Sequence, residues 1–205
     1  MKTIVCHGDS LTEASDLDKN YTWPSLVENR LNVKVINSGI GGDTSGGLLG
    51  RFYPDVVQHG PEMVVILAGT NDLWWDLEVN VIQANIFAMT CQAEFHNITP
   101  IVGLPPPLLT ANIQRQQMMA PVAGWPKCVQ KLADLTAALA ASARESEIAL
   151  LDFYHLFHDQ NGEPLSEYYL EDGLHPNKRG HRAMAEKTVE LLCSEFHFRA
   201  NSQTS

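Results

Sequence analysis

The stretch Met63-Val-Val-Ile-Leu-Ala-Gly-Thr-Asn-Asp72 joins a continuous apolar run to a short polar turn. An apolar run without alternation is typical of a strand that is covered on both faces, as in the middle of a parallel sheet. The stretch therefore predicts a central strand. Further short apolar runs of the same kind predict its neighbours: Thr3–Cys6, Val33–Ile36, Pro100–Leu104 and Ile148–Phe153.

Between and after the predicted strands, apolar residues recur with the spacing of one helical face. These residues are Leu48, Phe52 and Val56, then Ile82, Ile86, Met89 and Ala93, then Leu132, Leu135, Leu139 and Ala143, and finally Met184, Leu191, Leu192 and Phe196. Alternating strands and helices predict a mainly parallel sheet of about five strands, with helices on both faces. Residues 104–125 fall outside this pattern, and we expect a long connection of the kind that often covers a binding site.

The length of 205 residues favours one domain, and we expect it to span residues 1–199, followed by a loose polar tail at 200–205. The formal net charge is −10, which opposes binding to nucleic acid or to an anionic membrane surface. The longest apolar stretch, Met63–Ala68, is far shorter than the roughly 20 residues that a membrane span needs. We therefore expect no membrane insertion. Because the first residues are also too short an apolar run for a signal peptide, we expect a cytoplasmic protein.

Cysteine and histidine give no clear sign of a metal site. The four cysteines are scattered and form no CxxC pair, which predicts buried or partly buried free thiols (Cys6, Cys91, Cys128 and Cys193). His155 and His158 lie near Asp152 and Asp159, but a zinc site needs three or four converging ligands. We therefore predict no metal. His7 and His181 are expected to be packing or surface residues.

Polar residues follow the ends of two predicted strands, where ligands bind in open parallel sheets. After the first strand, Gly8-Asp-Ser-Leu11 can expose Ser10 near the start of a helix, whose free N–H groups favour negative charge. After the third strand, Asn71 offers a neutral N–H that can polarise a carbonyl, while Asp72 is interpreted as a local partner or cap. Taken alone, each of these residues is also compatible with an ordinary turn or helix cap.

A glycine-rich segment, Gly39–Thr44, follows the second predicted strand. A dinucleotide-binding fingerprint would need glycine where Thr44 stands, and a P-loop would need lysine where Leu48 stands. Both phosphate-binding interpretations therefore fail. Two remain: a loop in which Thr44 or Asp43 caps the next helix, or a backbone N–H donor aimed at an oxyanion.

The last cluster, Asp172-Gly-Leu-His175, precedes the final predicted helix. This spacing lets the carboxylate reach the imidazole Nδ1–H, which fixes the tautomer and stabilises the cation that forms when Nε2 takes a proton. Asp152 is an alternative acid, but the local spacing favours Asp172. A hydroxyl, a donor loop, an amide and an acid–imidazole pair are together the groups that acyl transfer requires.

These blocks resemble those of the SGNH, or GDSL-type, serine hydrolase family. The matching segments are Gly8–Leu11, Gly39–Thr44, Gly69–Asp72 and Asp172–Pro176, in the family's order. The resemblance implies a flavodoxin-like three-layer α/β/α fold and no cofactor. It also implies an esterase or acylhydrolase that acts on a small-molecule ester through an acyl-serine intermediate. Alternatives are a thioesterase, a carbohydrate O-acetyl esterase, or a non-catalytic binding module on the same fold. A nucleotide-binding flavodoxin-like protein is a further alternative, which the missing phosphate loop and the net charge of −10 disfavour.

The resemblance also implies a role for each residue of the predicted site. Ser10 would be the nucleophile, His175 the base, and Asp172 the residue that orients the base. The oxyanion donors would be the Ser10 N–H, the Gly42 N–H and the Asn71 amide. Gly39 and Gly41 remain alternatives to Gly42.

Apolar side chains in the predicted connections could form a wall for an acyl or aryl group. The predicted substrate contacts are Trp74, Trp75, Leu108, Trp125, Tyr169 and Leu174, with Met118 and Met119 nearby in the long connection. Exposed apolar residues also mark contacts between subunits, so a homodimer is left open.

Overall fold

The computed structural model describes residues 2–115 and 119–200. In this part of the chain, five strands form one sheet in the order β2-β1-β3-β4-β5, and every neighbouring pair is parallel. The strands are β1 Thr3–Gly8, β2 Lys34–Gly39, β3 Met63–Leu67, β4 Thr99–Leu104 and β5 Ala149–Asp152. This is the flavodoxin-like strand order, so the predicted fold class is confirmed.

Helices connect successive strands and follow the last one. They are α1 Ser10–Glu13, α2 Trp23–Leu31, α3 Ser45–Asp55, α4 Thr70–Trp74, α5 Val79–Phe95, α6 Thr110–Arg115, α7 Trp125–Glu145, α8 Phe153–Leu156 and α9 Lys178–Phe196. Short 3₁₀ turns occur at Lys19–Tyr21, Val57–His59 and Ser166–Tyr168. None of the helices in the described ranges is long and apolar enough to cross a membrane.

The sheet separates two apolar clusters, which makes three layers. Alternate residues of β3 pack on opposite sides of the sheet. Val64 and Ile66 belong to one cluster, while Val65 and Leu67 belong to the other. Helices α3, α5 and α7 cover the first side, whereas α2 and α9 cover the second. All four of these β3 residues are fully buried, which confirms that the run at 63–68 contains the central strand.

The connection at 104–125 differs from the prediction because it contains a helix, α6. This helix packs against the fold through Ile113, whose side chain is fully buried in the first apolar cluster. Residues 116–118, including Met118, lie outside the described residues, as do residues 201–205 of the predicted tail. The assignment of residues 1–199 to one domain stays a prediction.

The strand register brings three chain segments to one edge of the sheet. Gly8, the last residue of β1, pairs with Gly39 of β2 and with Leu67 of β3. Because parallel strands end on the same side, the turns that follow these three strands are neighbours.

Candidate active site

A tight turn places Ser10 at the start of α1. Asp9 caps this helix, and its Oδ1 accepts the Leu11 N–H at 2.9 Å. Ser10 is the first helical residue, so its own N–H has no acceptor within the helix. A side chain at Gly8 would clash, because its Cβ would lie 2.8 Å from the Leu67 carbonyl oxygen of the neighbouring strand. The sequence Gly-Asp-Ser-Leu therefore fits a turn that presents both the hydroxyl and the N–H of Ser10.

Ser10, His175 and Asp172 form a continuous hydrogen-bonded chain. The distance from Ser10 Oγ to His175 Nε2 is 3.0 Å, although the two residues are 165 positions apart. On the other side of the ring, His175 Nδ1 lies 2.6 Å from Asp172 Oδ2. The tautomer with hydrogen on Nδ1 satisfies both contacts, since Nδ1–H then donates to the carboxylate and the Ser10 hydroxyl donates to Nε2.

The Asp172 carboxylate is itself held in place by its own loop. Its Oδ1 accepts the backbone N–H groups of Leu174 at 2.8 Å and of His175 at 2.9 Å. Burial raises the pKa of Asp172, but the hydrogen bonds from the His175 ring and from these two N–H groups outweigh it, so the pKa lies below its usual value. Asp172 is therefore an ionised partner for the imidazole.

The charge around His175 favours its protonated form. Burial alone lowers the pKa of this imidazole, but the hydrogen bond and charge of Asp172 raise it, with smaller contributions from Asp16 and Asp9. The net result is a pKa above the usual histidine value. Asp16 lies on the exposed side, with its Oδ2 4.0 Å from His175 Nδ1. An imidazole in this setting is stabilised when it accepts a proton at Nε2.

The three glycines of the predicted donor loop differ in what their N–H groups contact. The Gly39 N–H donates to Asn37 Oδ1 at 3.0 Å, and the Gly41 N–H donates to Glu13 Oε2 at 2.7 Å. The Gly42 N–H has no acceptor among the described residues. Gly42 has a φ of +77°, and a Cβ placed on it would meet no atom within 4 Å. Of the three candidates, Gly42 therefore offers an N–H that a ligand could use.

Asn71 lies in the first turn of α4 and is tied to this loop. Its Nδ2 donates to the Asp43 carbonyl oxygen at 2.8 Å and lies 3.4 Å from Asp9 Oδ2. The long second contact leaves an amide hydrogen that an incoming oxyanion could take. The amide of Asn71 thus belongs to the same group of donors as Gly42.

Sequence reasoning missed the surroundings of two carboxylates. Asp9 is buried beside Ser10, and burial raises the pKa of its carboxyl to about 7. Asp72 was interpreted as a local partner, but its carboxylate instead accepts the N–H and the hydroxyl of Ser45, at 2.8 and 2.6 Å. That interpretation was wrong, because the parallel sheet brings the start of α3 beside α4. The sequence held no signal for this contact, because Ser45 lies 27 positions from Asp72.

The predicted substrate contacts occupy different environments. Trp74 is buried against Trp125, with ring centroids 5.1 Å apart and its Nε1–H donated to the Met119 carbonyl oxygen. Leu108 is buried and Leu174 half-buried in the same apolar cluster, while Trp75 is exposed. Substrate contact by these residues stays a prediction.

Tyr169, the sixth predicted substrate contact, supports the loop that carries His175. Its ring is buried, and its hydroxyl donates to the Pro107 carbonyl oxygen at 2.6 Å. The side chain thus anchors the last loop to the connection that follows β4, and its contact with substrate stays a prediction.

The histidine, cysteine and acidic side chains of the described residues form no cluster with metal-binding character. Across residues 2–115 and 119–200, no group of three or more histidine, cysteine or acidic side chains could hold a metal ion. All four cysteines are free thiols, as predicted. Cys6 and Cys128 are buried and Cys193 is half-buried, but Cys91 is exposed, so the expected burial is wrong for Cys91. His7 and His181 are buried, as predicted for packing residues, and burial lowers the pKa of each to about 4.

Comparisons with known proteins agree with this geometry. Residues 6–183 match the family model of the GDSL-like lipase/acylhydrolase family. The chain is 27% identical over 196 residues to an arylesterase of Vibrio mimicus, with 92% of this chain and 87% of the relative covered. It is 26% identical over 198 residues to thioesterase 1/protease 1/lysophospholipase L1 of Escherichia coli K12, with coverage of 93% and 83%.

A solved structure shares the fold. The lipase/acylhydrolase of Enterococcus faecalis superimposes with a TM-score of 0.77 at 23% identity, and the whole of both chains is covered. Because the family model spans most of the sequence, from the first strand into the last helix, the chain belongs to the GDSL-like lipase/acylhydrolase family.

Proposed function

We propose that this chain cleaves carboxylic esters through a covalent acyl intermediate on Ser10. Membership of the GDSL-like lipase/acylhydrolase family makes the chain a carboxylic ester hydrolase. The observation that carries the proposed mechanism is the unbroken contact from Ser10 Oγ through the His175 ring to Asp172, at 3.0 and 2.6 Å. A hydroxyl is a poor nucleophile unless a neighbouring base takes its proton, and this chain of contacts supplies such a base.

In the first half of the reaction, Ser10 Oγ attacks the ester carbonyl while His175 Nε2 takes the hydroxyl proton. Asp172 stabilises the imidazolium that forms, through the Nδ1–H contact and its negative charge. The imidazolium then gives its proton to the departing alcohol oxygen as the bond between the carbonyl carbon and that oxygen breaks. The acyl group stays on Ser10.

The carbonyl oxygen becomes an anion during attack and needs donors that are already in place. We assign this task to the N–H groups of Ser10 and Gly42 and to the Asn71 amide. Ser10 and Gly42 support the assignment because neither N–H has an acceptor in the described part of the chain. Asn71 supports it because its amide is fixed to the donor loop at the Asp43 carbonyl oxygen.

In the second half, water attacks the acyl group while His175 Nε2 takes a proton from it. Collapse of the second tetrahedral intermediate returns that proton to Ser10 Oγ and releases the carboxylic acid. Apart from the ester and the attacking water, the groups that these steps use are side chains or backbone N–H groups of this chain. The binding partner that the mechanism needs is a small-molecule ester.

Kinetics on an aryl ester test the mechanism. We expect Ser10→Ala to lower kcat by on the order of 10⁴–10⁶ and Asn71→Ala by roughly 10²–10³. Rapid mixing of the wild-type protein with the same ester should give a burst of phenol and an intact-mass increase equal to one acyl group. A Ser10→Ala variant that turns over at the wild-type rate would exclude the mechanism.

Thioester hydrolysis is a second candidate for the same site. It is favoured by the similarity to the Escherichia coli thioesterase, which extends over 93% of this chain. Oxygen esters and thioesters with matched acyl groups separate the two candidates, because Ser10→Ala should abolish both activities while kcat/KM ranks the substrates.

A further inference from the structure

We propose that Arg51 is a positioning residue for this reaction, and that it acts through Asp43 on the loop that carries the oxyanion donors. The inference rests on the proposed function, since it concerns donors to which that function assigns a role. Arg51 touches neither Ser10 nor His175, so its effect has to pass through the loop.

The Arg51 guanidinium joins the ends of two strands to the donor loop. Its Nη2 donates to the Gly8 carbonyl oxygen at 2.9 Å, at the end of β1, and its Nη1 donates to the Ser38 carbonyl oxygen at 3.0 Å, in β2. Its Nε donates to Asp43 Oδ2 at 2.7 Å. Nη1 also contacts Asp55 Oδ2 at 2.6 Å within α3. One planar group thus fixes the loop relative to the strand that leads into Ser10.

Asp43 transmits this restraint to both oxyanion donors outside α1. Its carbonyl oxygen accepts the Asn71 amide at 2.8 Å, and its Oδ1 accepts the Thr44 N–H at 2.9 Å. Gly42 directly precedes Asp43, so the Gly42 N–H and the Asn71 amide are both coupled to the position of this one residue. A displaced Asp43 would therefore move both donors relative to Ser10.

The ion pair between Arg51 and Asp43 is shielded from water, so it can hold the loop in a fixed position. The side chains of Arg51 and Asp43 are 16% and 14% exposed. Removing one partner of such a pair leaves the other charge poorly solvated, so the loop would rearrange to reach water. Lysine keeps the charge but lacks the fork of donors that reaches Gly8, Ser38 and Asp43 together.

A glycine in α3 makes room for the Asp43 carboxylate. A Cβ on Gly47 would lie 1.8 Å from Asp43 Oδ1 and 2.9 Å from Cγ, so an alanine there must displace the carboxylate from the position in which it accepts the Arg51 and Thr44 N–H groups. Gly50, one helical turn further on, offers a matched control because a Cβ at that position meets no atom within 4 Å. Alanine is the better helix former at both sites, so helix propensity does not distinguish them.

The first test compares Gly47→Ala with Gly50→Ala on an aryl ester. We expect Gly47→Ala to lower kcat by on the order of 10²-fold with little change in KM. Misplaced donors should reduce the stabilisation of the transition state more than the binding of the ester. Gly50→Ala should keep the wild-type kcat. Equal kcat for wild type and a folded Gly47→Ala variant would overturn the proposal.

The second test is a double-mutant comparison of Arg51→Lys in the wild-type and Asn71→Ala backgrounds. If Arg51 acts through the oxyanion donors, its substitution should cost a smaller factor in kcat once Asn71 has lost its amide. A purely structural role predicts the same factor in both backgrounds, and that result would overturn the proposal. This comparison decides the matter even if Gly47→Ala fails to fold.

Ser10→Ala separates the failure of this proposal from the failure of the mechanism. An inactive Ser10→Ala variant beside normal Gly47→Ala and Arg51→Lys variants refutes only the role of Arg51. An active Ser10→Ala variant refutes the acyl-serine mechanism itself.

Discussion

Two Asp-x-x-His pairs in this chain have nearly the same local geometry and different surroundings. In one pair, His175 Nδ1 lies 2.6 Å from Asp172 Oδ2, and in the other, His155 Nδ1 lies 2.7 Å from Asp152 Oδ2. In both pairs the backbone N–H of the histidine donates to Oδ1 of the aspartate at 2.9 Å. Only the His175 ring has Ser10 Oγ on its far side, and its side chain is 22% exposed against 72% for His155. An acid–imidazole pair is therefore easily built by local sequence, whereas a nucleophile beside it requires the whole fold.

The difference has a structural cause. The loop with Asp172 and His175 is held from outside, because the Gly173 carbonyl oxygen accepts the Leu109 N–H at 2.9 Å. A Cβ on Gly173 would lie 2.6 Å from the Leu109 carbonyl oxygen, so this approach needs glycine. Asp152 instead ends β5 and caps α8, which leaves His155 on the surface. The first pair is directed toward the end of β1, and the second is directed toward solvent.

Removing the two imidazoles in turn should give the largest contrast. We expect His175→Ala to lower kcat on an aryl ester by on the order of 10⁴–10⁶, because no other base reaches the Ser10 hydroxyl in the described structure. His155→Ala should leave kcat unchanged. Steady-state kinetics on both purified variants would contradict the comparison if His155→Ala showed the larger loss.

Substitution of the two aspartates should show the same contrast, with the larger loss of kcat at Asp172 than at Asp152. Asp172→Asn should lower kcat by about 10⁴, because an amide neither favours the Nδ1–H tautomer nor stabilises the imidazolium. Asp152→Asn is the matched control. Asparagine can still cap α8, and Ser10, His175 and Asp172 keep all their contacts. Equal losses in the two variants would mean that the Asp172 contact has no special role.

The pH dependence of kcat/KM should report the titration of His175, to which the buried Asp9, with a pKa of about 7, is coupled by charge. The pKa of His175 is raised, so the imidazole becomes protonated at a higher pH than an ordinary histidine, and protonation removes the base. Activity should therefore fall about tenfold per pH unit on acidification, with an inflection above about 6.5. His155→Ala should leave the profile in place, and an inflection that moves with this variant would contradict the assignment.

The smallest expected effect comes from Asp16, whose carboxylate lies 4.0 Å from His175 Nδ1 and is 60% exposed. Its charge helps to raise the pKa of His175, but water screens it. Asp16→Asn should therefore move the inflection of kcat/KM slightly to lower pH. High salt should shrink this difference, and an upward shift would mean that the Asp16 charge acts in another way.

The features that followed from the sequence are those with local causes. The run at Val64–Leu67 identified the central strand because a strand buried on both faces has no polar alternation. The spacing of Asp172 and His175 predicted their contact, since three residues can close one turn. The parallel sheet then explained why Ser10 and Asn71 should share an edge.

The features that escaped prediction depend on distant segments. Arg51 binds Asp43 and the ends of two strands, and the only sequence signal was its i,i+4 spacing from Asp55. Asp72 looked like a local cap, but its partner Ser45 lies 27 positions away. Helix α6 was missed because its seating depends on tertiary contacts, among them the buried side chain of Ile113. Such contacts need the packed fold before they can be recognised.

The most direct test of the central claim is to label the protein with a fluorophosphonate and map the modified residue by peptide mass spectrometry. Our account predicts one adduct, on Ser10, which forms at the wild-type rate in His155→Ala, far more slowly in His175→Ala and not at all in Ser10→Ala. An adduct on a different residue, or undiminished labelling of His175→Ala, would contradict the claim that the fold activates Ser10 through His175.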